Sequence, residues 1–352
     1  MRLALSGGGE MADPIERVYR LAQQCVESVP VIVVGSGASM GHGLPGMWEL
    51  AQYLVANVDP TGASKQDSEK WEAFKRRLED ADLETALTDV PLGDVLTSRV
   101  VRATWKMIAE ADQRILSEAI NNWQYFPFSR LLQVLFRSNR TRVDVVTTNY
   151  DKLIEYASDM ADLCHFTGFS HGVIRSRYTQ DPVHFCRKNQ PARTVNIWKV
   201  HGSLDWFDKD NIPLGLPIQS EPYDGFEPII VTPGIEKHRK TQQEPFRTIL
   251  AEADNALVSA ESYLCVGYGF NDEHIQPKLI EKCRSKPVPI TIITKELTKR
   301  TRQFLREGAF QRFLAIEEHE AGSIAYSHEA PEGIILDGID RWSLPGFLEA
   351  VE

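Results

Sequence analysis

The most constraining feature of this chain is a pattern that recurs. A short run of apolar, largely β-branched residues stops abruptly at glycines or polar residues. Val31 to Val34 runs into Gly35-Ser36-Gly37, and Val143 to Val146 into Thr147-Thr-Asn149-Tyr-Asp151. Val195 to Val200 runs into His201-Gly-Ser203, and Tyr263 to Val266 into Gly267-Tyr-Gly269. Ile229 to Val231 and Pro289 to Ile293 are further runs of this kind. Runs that lack a polar face read as strands buried on both sides, and β-branched residues favour that setting. Segments with helical spacing separate several of them, notably Phe246 to Val258, Ile275 to Cys283 and Leu297 to Leu305. The alternation predicts an α/β fold, a Rossmann-like doubly wound parallel sheet with helices on both faces. In such sheets ligands bind beyond the carboxyl ends of the strands, which is where the glycine and polar clusters fall.

The flanking segments complete the outline. Asp13-Pro14 is a helix opening, a capping carboxylate followed by proline at the first helical position. Ile15, Val18, Leu21, Ala22 and Cys25 then follow at helical spacing. Residues from about 60 to 138 carry apolar residues at helical spacing (Trp71, Phe74, Leu78; Val101, Trp105, Ile108; Leu131, Leu132, Leu135) with few β-branched runs. They read as a helical module inserted between the first two strands of the sheet. The expected organisation is a flexible leader over 1–12, one domain over 13–316 containing that module, and a mixed tail over 317–352 ending in a short helix around Phe347.

The balance of 49 acids against 39 bases, a formal charge of −10, argues against a surface built to hold nucleic-acid phosphates. Five cysteines at irregular spacing do not suggest a disulfide framework. No apolar run reaches the roughly 20 residues of a membrane helix. Met1 to Glu10 has too short an apolar stretch for a signal peptide, so a cytoplasmic location is expected.

Each cluster taken alone has an ordinary explanation. Gly35 to Pro45 is glycine-rich enough to let a backbone approach a pyrophosphate, yet glycine turns after strands are common, and the spacing is not that of the usual dinucleotide fingerprint. Asn149 or Asp151 alternatively caps a helix starting at Lys152. His201 is a general base near neutral pH or a satisfied turn histidine, with Gly202-Ser203 simply a turn. Asp272 is as suitable for a helix cap as for a ligand contact.

Together, in this order, the four clusters resemble the sirtuin superfamily over roughly residues 30 to 295. Gly35-x-Gly37-x-Ser39-x-x-x-Gly43-Leu-Pro45 is similar to its cofactor loop. Thr148-Asn149-Tyr-Asp151 is similar to its Q-N-x-D motif, with threonine in place of glutamine. Lys199-Val-His201-Gly matches its catalytic histidine motif, and Gly267-Tyr-Gly269 stands at its second nucleotide-contacting turn. The resemblance implies that Gly35, Ser36, Gly37 and Ser39 hold the phosphates of NAD. It puts Asn149 and Asp151 in the nicotinamide pocket, Asn149 also placing the ribose and a water. His201 becomes the base at the ribose hydroxyls, and Gly267, Gly269 and Asp272 line the adenosine half.

The departures are informative. The family's zinc ribbon needs two C-x-x-C pairs, and this chain has none. Cys164-His165 and His184-x-Cys186 offer soft ligands at spacings poor for a tetrahedral site, so no metal is expected. Gly46-Met47-Trp48 replaces the family's aromatic gate and arginine, and Asp208 to Phe226 is an unrelated loop where a peptide should dock. These departures resemble the bacterial sirtuin-like domains of antiphage defence, including those partnered with HerA-like hexameric ATPases. That branch implies an NAD hydrolase releasing nicotinamide and ADP-ribose, acting in abortive infection. It further implies a homo-oligomer, a HerA-like ATPase partner or a phage-derived trigger. The alternatives are an NAD-dependent protein-lysine deacylase and a non-catalytic sensor of NAD or ADP-ribose.

Overall fold

A computed structural model describes residues 13–178, 185–232, 243–272 and 274–352. The expected leader over 1–12 lies outside them. The strands are β1 (Val31–Val34), β2 (Arg142–Thr147), β3 (Cys164–Phe166), β4 (Arg175–Ser176), β5 (Cys186–Arg187), β6 (Gln190–Pro191), β7 (Thr194–Lys199), β8 (Gly202–Lys209), β9 (Ile212–Gly215), β10 (Glu227–Ile230), β11 (Tyr263–Val266), β12 (Ile290–Ile293), β13 (Phe313–His319), β14 (Gly322–Ser327) and β15 (Ala330–Leu336). The helices are α1 (Pro14–Glu27), α2 (Ser36–Met40), α3 (Met47–Asn57), α4 (Lys65–Arg77), α5 (Leu83–Asp89), α6 (Asp94–Asn121), α7 (Pro127–Leu135), α8 (Leu153–Met160), α9 (Phe246–Ser259), α10 (Ile275–Ser285), α11 (Lys299–Arg306) and α12 (Leu344–Val351).

The fold is mixed α/β around a central sheet of nine strands in the order β15-β14-β13-β12-β11-β1-β2-β7-β3. From β13 to β3 every neighbour pairs in parallel, as the apolar runs predict. Each run divides its side chains between two cores because successive residues point to opposite faces. Ile32, Val34, Val145, Ile197 and Leu264 face the helices α1, α6, α7 and α8. Val31, Val33, Val146, Trp198 and Cys265 face α9 and α10. Residues 60–138 carry the helices α4, α5, α6 and α7. Leu50 and Leu54 of α3 pack there with Trp71 and Phe74 of α4, Leu87 of α5 and Leu96 of α6 in a third core.

Three segments differ from the sequence reading. The Ile229 to Val231 run is not a strand of the main sheet. As β10 it joins β8, β9 and β4 in a separate antiparallel sheet, order β10-β8-β9-β4. The Asp208 to Phe226 stretch contributes β9 to that same sheet. Residues 317–352 carry the end of β13 and the strands β14 and β15, which extend the central sheet by an antiparallel hairpin, before the helix containing Phe347. An apolar run reports burial, not which sheet buries it, and so strand pairing was beyond its reach.

The order places a reversal at β1. Chain after β1 builds toward β2, β7 and β3 on one side, and later chain toward β11, β12 and β13 on the other. At such a switch point the loops leaving neighbouring strands part and leave a crevice.

Candidate functional site

Register brings the strand ends to one level: Val34 lies opposite both Thr147 and Val266, and Thr147 opposite Lys199. The loops that follow line a cleft of about 420 Å³. It gathers Gly35, Ser36, Gly37 and Ser39 after β1, Asn149 and Asp151 after β2, His201 after β7, and Gly267, Gly269 and Asp272 after β11. Every site residue expected from sequence is therefore in one cavity. Sequence reading missed its other walls. Leu50 comes from α3, Glu84 and Ile108 come from the helical module, and Thr294, Glu296 and Thr298 follow β12. Thr294 did carry a signal, being a polar residue directly after the Ile290–Ile293 run.

The glycines serve close backbone packing. The Gly37 amide donates to the Gly267 carbonyl at 3.1 Å, and the Gly35 amide to the Val266 carbonyl at 3.1 Å. A Cβ on Gly35 would stand 2.4 Å from that Gly267 oxygen, and one on Gly267, whose φ is +57°, 2.2 Å from the Ala38 nitrogen. Only glycine fits where two loops touch this closely. The Gly37 amide is thus spent on protein and is not free for a phosphate.

Ser39, expected beside the phosphates, is 4% exposed and sits at the centre of a polar relay. Asn149 Nδ2 donates to the Gly35 carbonyl at 3.0 Å and to Ser39 Oγ at 2.9 Å, while Ser39 Oγ donates to Asp151 Oδ2 at 2.8 Å. Both amide hydrogens of Asn149 are occupied, which fixes the plane of the group and leaves Oδ1 as its acceptor. Thr147 Oγ1 holds the Asn149 backbone amide at 3.1 Å. Asp151 Oδ1 accepts from the Leu153 amide at 3.1 Å and so caps α8. Burial pushes the Asp151 carboxyl up, against the opposing pull of Lys199, Ser39 and the Leu153 amide. Lys199 is fully buried, donates to the Asp151 carbonyl and pairs with Glu155 Oε1 at 3.3 Å.

His201 follows β7 where the chain leaves the central sheet for β8. Gly202 makes that corner at φ +93°, a conformation costly to any side chain, and a Cβ there would meet the Ile229 carbonyl oxygen at 2.1 Å. The Val231 amide donates to the His201 carbonyl at 2.8 Å, and Trp105 Nε1 of α6 to the Leu204 carbonyl at 2.7 Å, so three modules converge on this corner. The His201 ring has a carboxylate beside it, with Nε2 2.8 Å from Asp272 Oδ2. Asp272, expected to line the adenosine half, stands beside this histidine. Its other oxygen, Oδ1, accepts from the His274 and Ile275 amides at 2.9 Å each. Burial pushes the Asp272 carboxyl up, but His201 and the two amides outweigh it and hold it well below the usual carboxylate range.

Of the metal ligands considered from sequence, Cys164 and Cys186 are free thiols, and His184 lies outside the described residues. Among the described residues no group of three His, Cys, Asp or Glu stands close enough to hold a metal ion. No helix of the described residues is long and apolar enough to cross a membrane.

Residues 143–305 match the family model described as a SIR2-like domain. No curated protein matches the chain. Among solved structures it is similar to a Sir2 enzyme studied for mechanism and regulation, with 16% identity, 95% of this chain and 96% of that one covered, and a TM-score of 0.44. A Sir2 homologue in complex with NAD is 14% identical, with 81% and 84% covered and a TM-score of 0.39. A Sir2 protein bound to a propionylated peptide is 12% identical, with 84% and 99% covered and a TM-score of 0.41.

Proposed function

We propose that the cleft takes NAD as substrate and hydrolyses its nicotinamide–ribose bond: NAD⁺ and water give nicotinamide, ADP-ribose and a proton. The observation that carries this reading is the meeting of Asn149, its amide fixed by Ser39 and Gly35, with the His201–Asp272 pair in a single cleft. Breaking the bond builds positive charge on the ribose as neutral nicotinamide leaves. The protein's task is to orient the ring, stabilise that charge and place a water. Asn149 Oδ1 is the acceptor that aligns the water or a ribose hydroxyl. His201 takes the proton, and Asp272 orients the ring and stabilises the imidazolium that results. Asp151, held ready by Ser39, meets the nicotinamide carboxamide.

The SIR2-like match over residues 143–305 supports an NAD-dependent chemistry at this site. The motif resemblance extends the proposal to an abortive-infection effector in the cytoplasm, working as a homo-oligomer with a HerA-like ATPase or a phage-derived trigger. The test is chromatography of NAD incubated with the purified protein, alone and with the product of its neighbouring gene. Equal amounts of nicotinamide and ADP-ribose are expected with no acylated peptide present. Nicotinamide release that requires an acyl-peptide and yields O-acyl-ADP-ribose would make the protein a deacylase. Binding of NAD without cleavage in both samples would make it a sensor.

A further inference from the structure

A second cavity, of about 470 Å³, lies between α6, α8, the segment after β3 and the β8–β9 hairpin. It shares no lining residue with the cleft described above. Its floor holds a charge cluster. The Lys152 ammonium and the Arg175 guanidinium both pair with one oxygen, Asp205 Oδ2, Arg175 Nη2 at 2.6 Å. The Asp205 side chain is 3% exposed, and those of Lys152 and Arg175 are 15% exposed each. One carboxylate oxygen takes both groups, which leaves most of their N–H donors without a protein acceptor in a largely buried setting.

Two further acids, Asp151 and Glu155, face the single further cation Lys199, and Glu155 also acts on Lys152, so the cluster offers a ligand hydrogen-bond donors and not net charge. Glu155 pairs with Lys199, and Asp159 with His165 at 3.1 Å. Asp112 is committed to the Lys152 backbone amide at 2.8 Å and the Tyr156 hydroxyl at 2.6 Å, and burial pushes its carboxyl up to about 7. Lys152 and Arg175 together carry eight N–H donors and no acceptor, and an acceptor-rich anion suits that set. Above them Leu116, Phe169, Leu216 and Ile218 form an apolar wall, and His171 stands at the mouth. The volume is that of small-molecule sites.

We propose that this cavity is a second ligand site, one that takes a phosphorylated small molecule with its phosphate on Arg175 and Lys152 and its organic part on the apolar wall. The test titrates the full chain by calorimetry with inorganic phosphate and with phenyl phosphate, and substitutions in this cavity separate it from the cleft. Saturable binding of both is expected, phenyl phosphate the tighter by about tenfold. Arg175→Gln should weaken both at least tenfold. His171→Glu leaves the charge cluster intact and puts a negative charge at the mouth, so it should weaken both severalfold whether or not Arg175→Gln folds. ADP-ribose affinity should be unchanged in both variants. Absence of saturable binding, or binding that neither substitution weakens, overturns the proposal.

Discussion

At Asp151 and Asp272 the choice between helix cap and site residue turns out to be no choice. Each uses Oδ1 to cap a helix, while Oδ2 stands against a neighbour that lines the cleft, Ser39 in one case and His201 in the other. Sequence could offer both readings of a carboxylate at a strand end but not their union, because nothing in residue order shows which way each oxygen points. The double use yields a test. Asp272→Asn keeps an acceptor for the cap and loses the charge opposite His201, so its stability should stay near wild type while turnover falls roughly 10²-fold or more. Asp272→Ala should lose the same activity and also about 0.5–2 kcal/mol of stability. Equal melting temperatures for the two variants would remove the cap from the account. The depressed Asp272 carboxyl stabilises the fold above the ordinary carboxylate range, and that contribution is lost as pH falls through its folded value. For Asn149, alanine removes the aligned acceptor while leaving the Gly35–Gly267 packing in place. Asn149→Ala should bind ADP-ribose with nearly native affinity in calorimetry and release almost no nicotinamide from NAD. A large loss of ADP-ribose affinity would show that Asn149 holds the ligand and does not act at the bond alone.

At the scale of elements, the parallel strands and their helices were legible because a run such as Val31–Val34 is buried on both faces and can belong to little else. The small antiparallel sheet was not, since β9 and β10 depend on a partner, β8, whose start is set by the corner at Gly202. Also illegible was the way the helical module is fastened to the site. The carboxylate of Asp112 in α6 accepts from the Lys152 amide at the entry to α8 and from Tyr156 one turn on. Burial raises this carboxyl to about 7, so the folded state holds its proton while the unfolded chain has already released it. Stability must then fall as pH climbs from about 4 to about 7, and level off above. Asp112→Asn, which has no proton to lose, should gain on the wild type over that window. Each pH unit inside that window changes the difference by up to about 1.4 kcal/mol, a shift of a few degrees in melting temperature. Melting curves at pH 5 and pH 8 check this, and a gap between the two proteins that does not widen with pH would sink it.

For the molecule as a whole, the site exists only where distant stretches of chain arrive together. The reversal of strand order at β1 opens the crevice, the glycine contacts between the β1 and β11 loops close its floor, and α3 with the helical module supplies Leu50, Glu84 and Ile108 as one wall. A ligand that spans this crevice must touch loops separated by more than 200 residues, and hydrogen exchange reports such contact as slowed opening. With ADP-ribose bound, amide exchange should slow together in the peptides covering Gly35 to Met47, Thr148 to Asp151 and Gly267 to Asp272. The β14–β15 hairpin, at the far edge of the sheet, should exchange as before. The peptide around Glu84 should join the protected set, because its side chain lines the cleft although it belongs to a separate core. Protection confined to the Gly267 to Thr298 side, with the Gly35 loop unchanged, would place the ligand on half of the crevice. It would leave Asn149 and His201 without a substrate between them.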